Sequence, residues 1–279
     1  MNSVCRIATK ALLFFRLISI DIVLGAISGS YFASVISNTK LSVYFYFTLA
    51  SVVWIIYIAD HILDGLTKPN SGNYQFHFKH RILLLSIGVV IALMSGYIVL
   101  YYLEKRLITF GICTFILVVI YLFFNFLIRN RNVFFPKELI ISVLYTWGIF
   151  GGVLMLKGSV ELFQLLIIAN YFLLVFANVL LFSFFDSDEV GIESFNIISV
   201  VIGKENSRKL IVTILSIAII FSLVSGFAFS KWIEAFILIL MNITFLVIIL
   251  FPAAFKKSQF LGLMADSVFL YPFLLYWLH

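Results

Sequence analysis

The stretch W54-I-I-Y-I-A-D-H-I-L-D-G65 decides how this chain is read. It is apolar and aromatic as far as Ala59, then carries two aspartates, Asp60 and Asp64, four residues apart. A second stretch, L180-L-F-S-F-F-D-S-D-E-V-G191, has the same form and ends on Asp186, Asp188 and Glu189. A carboxylate beside a membrane-length apolar segment is costly to place, so it marks a functional site by default. Two such clusters at matching places point to one shared cation-binding site.

The surrounding sequence sets the class. Of 279 residues, 63% are hydrophobic and 11% charged, with 32 Phe and 13 Tyr. A soluble domain cannot hide that much apolar surface, so the chain is expected to be an all-α polytopic membrane protein. The short alternating segments of a membrane β-barrel are absent from the sequence. Charged and polar breaks predict nine spans, at residues 11–37, 41–66, 81–103, 107–127, 138–157, 161–187, 208–229, 231–252 and 260–278. Each approaches or exceeds the ~20 residues needed to cross the hydrocarbon core.

Basic residues orient the array. With the N-terminus inside, only Lys40, Lys105, Arg106, Lys157 and Lys231 of the 19 Lys and Arg fall outside. This obeys the positive-inside rule and places the C-terminus on the opposite side, with the cell inner membrane as the expected location. The net charge of +6 then reflects topology and contact with anionic lipids, and gives no support to nucleic-acid binding. Arg6 and Lys10 before an apolar run resemble a signal peptide. Arg16 and Asp21 interrupt the run, however, and a retained first helix is expected. Cys5 and Cys113 make no metal or redox signature.

A single domain over residues 1–279 is expected, with short outer loops and two long inner ones, TKPNSGNYQFHFKHR and DEVGIESFNIISVVIGKENSR. Both long loops follow an acidic cluster on the predicted cytosolic face, and long connections in a compact array often carry function. Asp60 and Asp186 close spans 2 and 6. That offset suggests a parallel pseudo-repeat of spans 1–4 and 5–8, with span 9 extra.

Asp60 and Asp64 share a helix face, and Tyr57 falls on it too. They sit at a helix C-terminus, where the macrodipole disfavours negative charge, so something positive must compensate. Lys68, Lys79 and Arg81 are candidates, as is Mg²⁺, which favours one or two carboxylates plus phosphate oxygens. Around the second cluster stand Ser194, Lys204, Arg208 and Lys209. A diphosphate between the clusters would meet metal-bridged carboxylates, with Lys and Arg closing around it.

Other polar residues inside spans read as structural. Asp21 and Asp266 are expected to find partners nearby, Asp266 with Lys256 or Lys257. Asn125, Asn170 and Asn178 are expected to join helices, with Asn178 also placed to line a cavity two turns from Asp186. His61 is expected to point off the Asp60 face, and His77 and His80 read as loop residues. Gly25, Ser28, Gly151 and Gly152 permit close helix packing. Trp54, Tyr57, Tyr145 and Trp147 are candidates to wall a cavity that shelters a cation.

At these residues the chain resembles the UbiA superfamily of intramembrane prenyltransferases. The family pattern N-D-x-x-D-x-x-x-D looks like residues 56–64, with Asp60 and Asp64 at its second and third aspartates and Ile56 and Tyr57 in place of its leading Asn and Asp. The pattern D-x-x-x-D-x-x-x-G-x-x-[ST] looks like residues 186–194, where Asp186, Gly191 and Ser194 match in order with a spacing three residues shorter. The stretch from Lys137 to Gly148 resembles the start of the family's fifth helix. The resemblance implies nine helices around a central cavity. It also implies Mg²⁺-dependent transfer from a polyprenyl diphosphate to an apolar or aromatic acceptor in the membrane. Asp60, Asp64, Asp186 and either Asp188 or Glu189 would hold metal. Lys68, Lys79, Arg81, Lys204 and Arg208 would add positive charge around the diphosphate, with Tyr57, Asn178 and Ser194 also at the site. The competing reading is a non-catalytic lipid-binding or transport protein on the same scaffold. A CDP-alcohol phosphotransferase would require D-G-x-x-A-R from Asp64, and Leu66 to Pro69 do not continue it.

Overall fold

A computed structural model describes residues 14–67, 72–128, 136–186, 198–256 and 261–278. Among these residues there are helices and connecting turns and no strand. The helices are α1 (Ile20–Ile36), α2 (Val43–Thr67), α3 (Gly72–Lys79), α4 (Arg81–Tyr102), α5 (Lys105–Ile128), α6 (Lys137–Lys157) and α7 (Leu162–Asp186). They continue with α8 (Ile198–Ile202), α9 (Lys204–Phe229), α10 (Trp232–Leu250), α11 (Pro252–Lys256) and α12 (Leu261–Ser267). A 3₁₀ segment (Val268–Leu274) and α13 (Leu275–Leu278) complete the C-terminal span.

Eight of these segments are long and apolar enough to cross a membrane, namely α2, α4, α5, α6, α7, α9, α10 and the C-terminal span. The chain is therefore an integral membrane protein. The first predicted span differs from the expected continuous helix. Residues 14–17 are helical, Ser19 adopts a left-handed conformation at φ 58°, and the 17-residue α1 begins after it. The last span departs too. Its α-helix ends at Ser267 and tightens into a seven-residue 3₁₀ run containing Pro272. Proline cannot donate the backbone bond a regular helix requires there, and 3₁₀ runs of this length are uncommon.

The packing forms a closed ring: α1 contacts α6, α6 contacts α7, α7 contacts α9, α9 contacts α10, and the C-terminal span returns to α1. Outside it, α2 docks on α1 and carries α3 and α4, while α5 docks on α6. Burial follows that order. In α7 and α10 half of the apolar window is buried, against 11% for α4 and 17% for the window in α5, so the latter two present their side chains to lipid.

Within a membrane, helix association rests on close packing and interhelical hydrogen bonds, because lipid is as apolar as leucine. The α1 face shows the first device: Gly25, Ala26, Ser28, Gly29, Ser30 and Ala33 are all buried. Ser28 and Ser30 donate to the carbonyls of Leu270 and Ile149 at 3.3 and 3.2 Å. Gly151 and Gly152 likewise receive the rings of Phe110 and Phe45. The second device is Asn170, fully buried on α7, which donates to Ala218 O at 2.7 Å and Ser222 Oγ at 2.6 Å on α9. Asn242 on α10 reaches the Asn170 carbonyl at 3.5 Å. The aromatic core lies against this knot, with Tyr171 meeting Phe32, Phe150 and Phe269.

A Cβ on Gly29 would lie 2.5 Å from the Tyr171 hydroxyl and 2.9 Å from Ile149 Cδ1. Gly29→Ala is thus expected to destabilise the detergent-purified protein by about 1–3 kcal/mol through overpacking, read as a lowered thermal midpoint. Gly88→Ala, with open space around it, should leave the midpoint unchanged and serves as the control.

Candidate functional site: a small cavity below the acidic helix ends

The helices that carry Asp60 and Asp186 wall one cavity, of about 30 Å³. It is lined by Ile22 and Gly25 of α1, Tyr57 of α2, Ile141 and Tyr145 of α6, Val175, Asn178 and Val179 of α7, and Asp266 and Phe269 of the C-terminal span. Tyr57 precedes Asp60 by three residues, and Asn178 precedes Asp186 by eight, about 12 Å of helix. Asn178 Nδ2 donates to Asp266 Oδ1 at 3.3 Å. The Tyr145 hydroxyl lies over Gly25, 3.3 Å from where a Cβ would stand. Tyr57 lies within electrostatic range of Asp21, Asp60 and Asp266.

Asp266, read from the sequence as structural, thus lines the cavity, and Asp21, read the same way, lies within electrostatic range of Asp266 and Tyr57. Arg16 acts electrostatically on both, and its guanidinium occupies the space where a Cβ on Gly262 would be. Asn178 rather than a lysine provides the hydrogen bond to Asp266, and Lys257 and the Lys256 side chain lie outside the described structure. The interruption at Ser19 is held by Trp54, whose Nε1 donates to Ile18 O at 3.0 Å. Trp54 therefore supports the backbone beside the cavity. Trp147 faces away and donates to Thr114 Oγ1 at 3.0 Å on α5.

The residues expected around a diphosphate are distributed as follows. Asp60 stands in the last part of α2, on the same helix as His61, whose Nδ1 is 2.7 Å from Tyr57 O. Lys79 is exposed at the end of α3. Arg81 lies 4.3 Å over the Phe78 ring and donates to Phe78 O at 3.4 Å. Lys204 lies 4.9 Å over Phe184, near the end of α7. Arg208 donates to Leu250 O at 3.3 Å, so it closes the end of α10. Lys68, Asp188, Glu189 and Ser194 are outside the described residues, as are the side chains of Asp64 and Asp186. Among the described residues, no group of three or more His, Cys, Asp and Glu is placed to hold a metal ion.

Two features escaped the sequence reading. The loop after α2 contains α3, and His77 is 1% exposed within it, stacked on His61 at a centroid distance of 4.7 Å. Glu138 is also 1% exposed. Its Oε1 accepts the Ile198 N–H at 3.0 Å and the Ser183 hydroxyl at 3.3 Å, and Ser183 bonds Ser199 at 3.0 Å. One carboxylate thereby joins α6, the end of α7 and the start of α8. An acid in the first turn after Pro136 was legible as a helix-start signal, but its distant partners were not.

A second groove, about 420 Å³, runs further along the contact between α1 and the C-terminal span. Ile27, Tyr31, Tyr46, Phe273, Tyr276 and Trp277 line it, and it is almost wholly apolar.

Glu138→Ala should leave the buried Ile198 N–H without its acceptor and remove one of the two acceptors of Ser183, at a cost of about 1–3 kcal/mol. Thermal unfolding in detergent checks this, and Glu138→Gln, which keeps a carbonyl acceptor, should recover most of the loss.

No protein-family model matches the chain, and searches of curated proteins and of solved structures returned no significant match.

Proposed function

We propose that this chain is a nine-helix, UbiA-like prenyltransferase, with α1 counted as the ninth crossing. It transfers a prenyl group from a polyprenyl diphosphate to an apolar or aromatic acceptor in the membrane. The observation that carries the reading is that α2 and α7, the two helices ending in acidic clusters, wall the same small cavity through Tyr57 and Asn178. The aromatic groove along α1 and the C-terminal span supports it. Its volume falls within the ~300–1,000 Å³ of small-molecule clefts, and its apolar wall suits an isoprenoid chain.

The donor set fits Mg²⁺ in kind, since Asp60, Asp64, Asp186 and Asp188 or Glu189 offer carboxylate oxygens and no soft ligand. Bound there, the ion would neutralise the charge that develops on the departing diphosphate. Lys204 and Arg81 supply further positive charge from the neighbouring helix ends. In the transfer, the bond between the prenyl C1 and the diphosphate oxygen breaks, and its electron pair leaves with the diphosphate. The acceptor provides the pair for the new bond to C1 and releases a proton. Tyr57, Tyr145 and Phe269 line the cavity beside these helix ends and offer aromatic rings to stabilise developing positive charge. The apolar walls around them keep water from competing with the acceptor.

A second reading, transport or lipid binding without chemistry, draws on a specific observation. Both α1 and the C-terminal span depart from regular α-helix close to an aspartate, α1 by a break at Ser19 and the C-terminal span by tightening into a 3₁₀ run at Val268–Leu274. Interrupted helices near ionisable residues recur in membrane transporters.

One experiment separates the two. Geranylgeranyl diphosphate is titrated into the detergent-purified protein with and without Mg²⁺ while thermal unfolding is followed. A transferase should be stabilised only when both are present, and the effect should vanish in Asp60→Asn. Asp60→Asn and Asp186→Asn should each abolish product formation without lowering the unliganded thermal midpoint. Full turnover in either variant, or stabilisation indifferent to Mg²⁺, would sink the proposal and favour the second reading.

A further inference from the structure

Glu138 ties together two chain segments that each carry a charge of the proposed site. It stands in the first turn of α6, just after Pro136, and is 1% exposed. Its Oε1 accepts the Ile198 N–H at 3.0 Å and the Ser183 hydroxyl at 3.3 Å. The Ser183 hydroxyl also lies 3.0 Å from that of Ser199 and accepts the Ser199 N–H at 3.5 Å. Ser183 is one turn before Asp186, the last residue of α7. Ile198 and Ser199 open α8, and Lys204 follows Ser199 by five residues at the start of α9. Lys204 lies 4.9 Å over the ring of Phe184, the residue after Ser183. The end of α7 and the start of α8 are thus held in one register, with Lys204 brought to the turn that ends on Asp186.

Stability alone accounts poorly for a carboxylate at this position. Glu138 Oε2 is buried with no hydrogen-bond partner among the described residues. An unmatched buried acceptor costs free energy, and a carboxylate costs more than a neutral group. An apolar side chain of similar volume would pack α6 on α7 without that penalty. What Glu138 supplies is one acceptor shared by two donors fifteen residues apart in the chain. Directional bonds of this kind fix the rotation and height of a helix end, which close packing alone does not. Groups that orient metal ligands in this indirect way govern metal affinity nearly as strongly as the ligands themselves.

We propose that Glu138 is a positioning residue, which sets the end of α7 against α8 through Ser183 and Ile198 and so fixes Asp186 and Lys204 relative to each other for metal and diphosphate. It touches neither metal nor substrate. The inference rests on the transferase reading above and names the residue that orders its site.

The test is binding of radiolabelled geranylgeranyl diphosphate to the full chain in detergent across a Mg²⁺ series, beside the unliganded thermal midpoint. The quantity read is the Mg²⁺ concentration that gives half-maximal binding. Glu138→Ala should raise it about tenfold. Glu138→Gln, which keeps the shared acceptor, should return it close to the wild-type value. Gly152→Ala is the control for lost stability. Its Cβ would lie 2.6 Å from Phe45 Cζ, fourteen residues along α6 from Glu138. It should lower the midpoint without changing the Mg²⁺ requirement. If Glu138→Ala fails to fold, Ser183→Ala removes the link to α7 alone and should shift the requirement in the same direction. A wild-type Mg²⁺ requirement in the folded variant would overturn the proposal. So would an equal rise in Gly152→Ala, or no recovery in Glu138→Gln. Absence of Mg²⁺-dependent binding in the wild-type protein is a separate outcome, which would overturn the transferase reading and this inference with it.

Discussion

Everything in this bundle is arranged around the closeness of α1 to the C-terminal span. The α1 face has been reduced to Gly, Ala and Ser, and Ser28 bonds directly to the Leu270 carbonyl. In lipid such close approach replaces the hydrophobic drive that holds a soluble core. The same contact sets two carboxylates on adjacent helices below it. Packing and charge are therefore linked: drawing these helices together stabilises the fold and concentrates negative charge within it.

The two interruptions follow from that conflict. A continuous α1 would carry Arg16 and Asp21 five residues apart, well round the helix from each other. The left-handed residue at Ser19 re-aims the preceding turn, and Trp54 binds the carbonyl that the break releases. An unsatisfied carbonyl in hydrocarbon costs several kcal/mol, so Trp54 is part of the break. In the C-terminal span the departure after Asp266 is milder, a tightening into a 3₁₀ run that contains Pro272 and leaves the helical backbone continuous.

The class and most of the helices were legible in the sequence because hydropathy and loop charge are local properties. The predicted ends at 103, 157, 229 and 252 fall within a few residues of those of α4, α6, α9 and α10. The centre was harder to read. Asp21 and Asp266 are 245 residues apart, and each alone looks like a structural oddity, because their meeting depends on which helices are neighbours. The α3 helix was missed because eight mixed polar and aromatic residues show no clear period. Glu138 was visible as a helix-start acid but not as the acceptor for Ser183 and Ile198.

The Asn170 knot gives the bundle a mechanical asymmetry. It ties α7, α9 and α10 by polar bonds in the most deeply buried part of the protein. On the other side, α1 and α2 are held by contact between small and apolar residues together with single bonds from Ser28, Ser30 and Trp54 at 3.0–3.3 Å. Sliding a contact with few and longer hydrogen bonds is easier than breaking the shorter amide bonds of the knot in a medium that offers no replacement. Any widening of the interior would then fall to the α1 side, moving against the more firmly tied α7, α9 and α10. The aromatic groove lies along that yielding seam, so a molecule arriving from the bilayer would meet the compliant flank of the protein first.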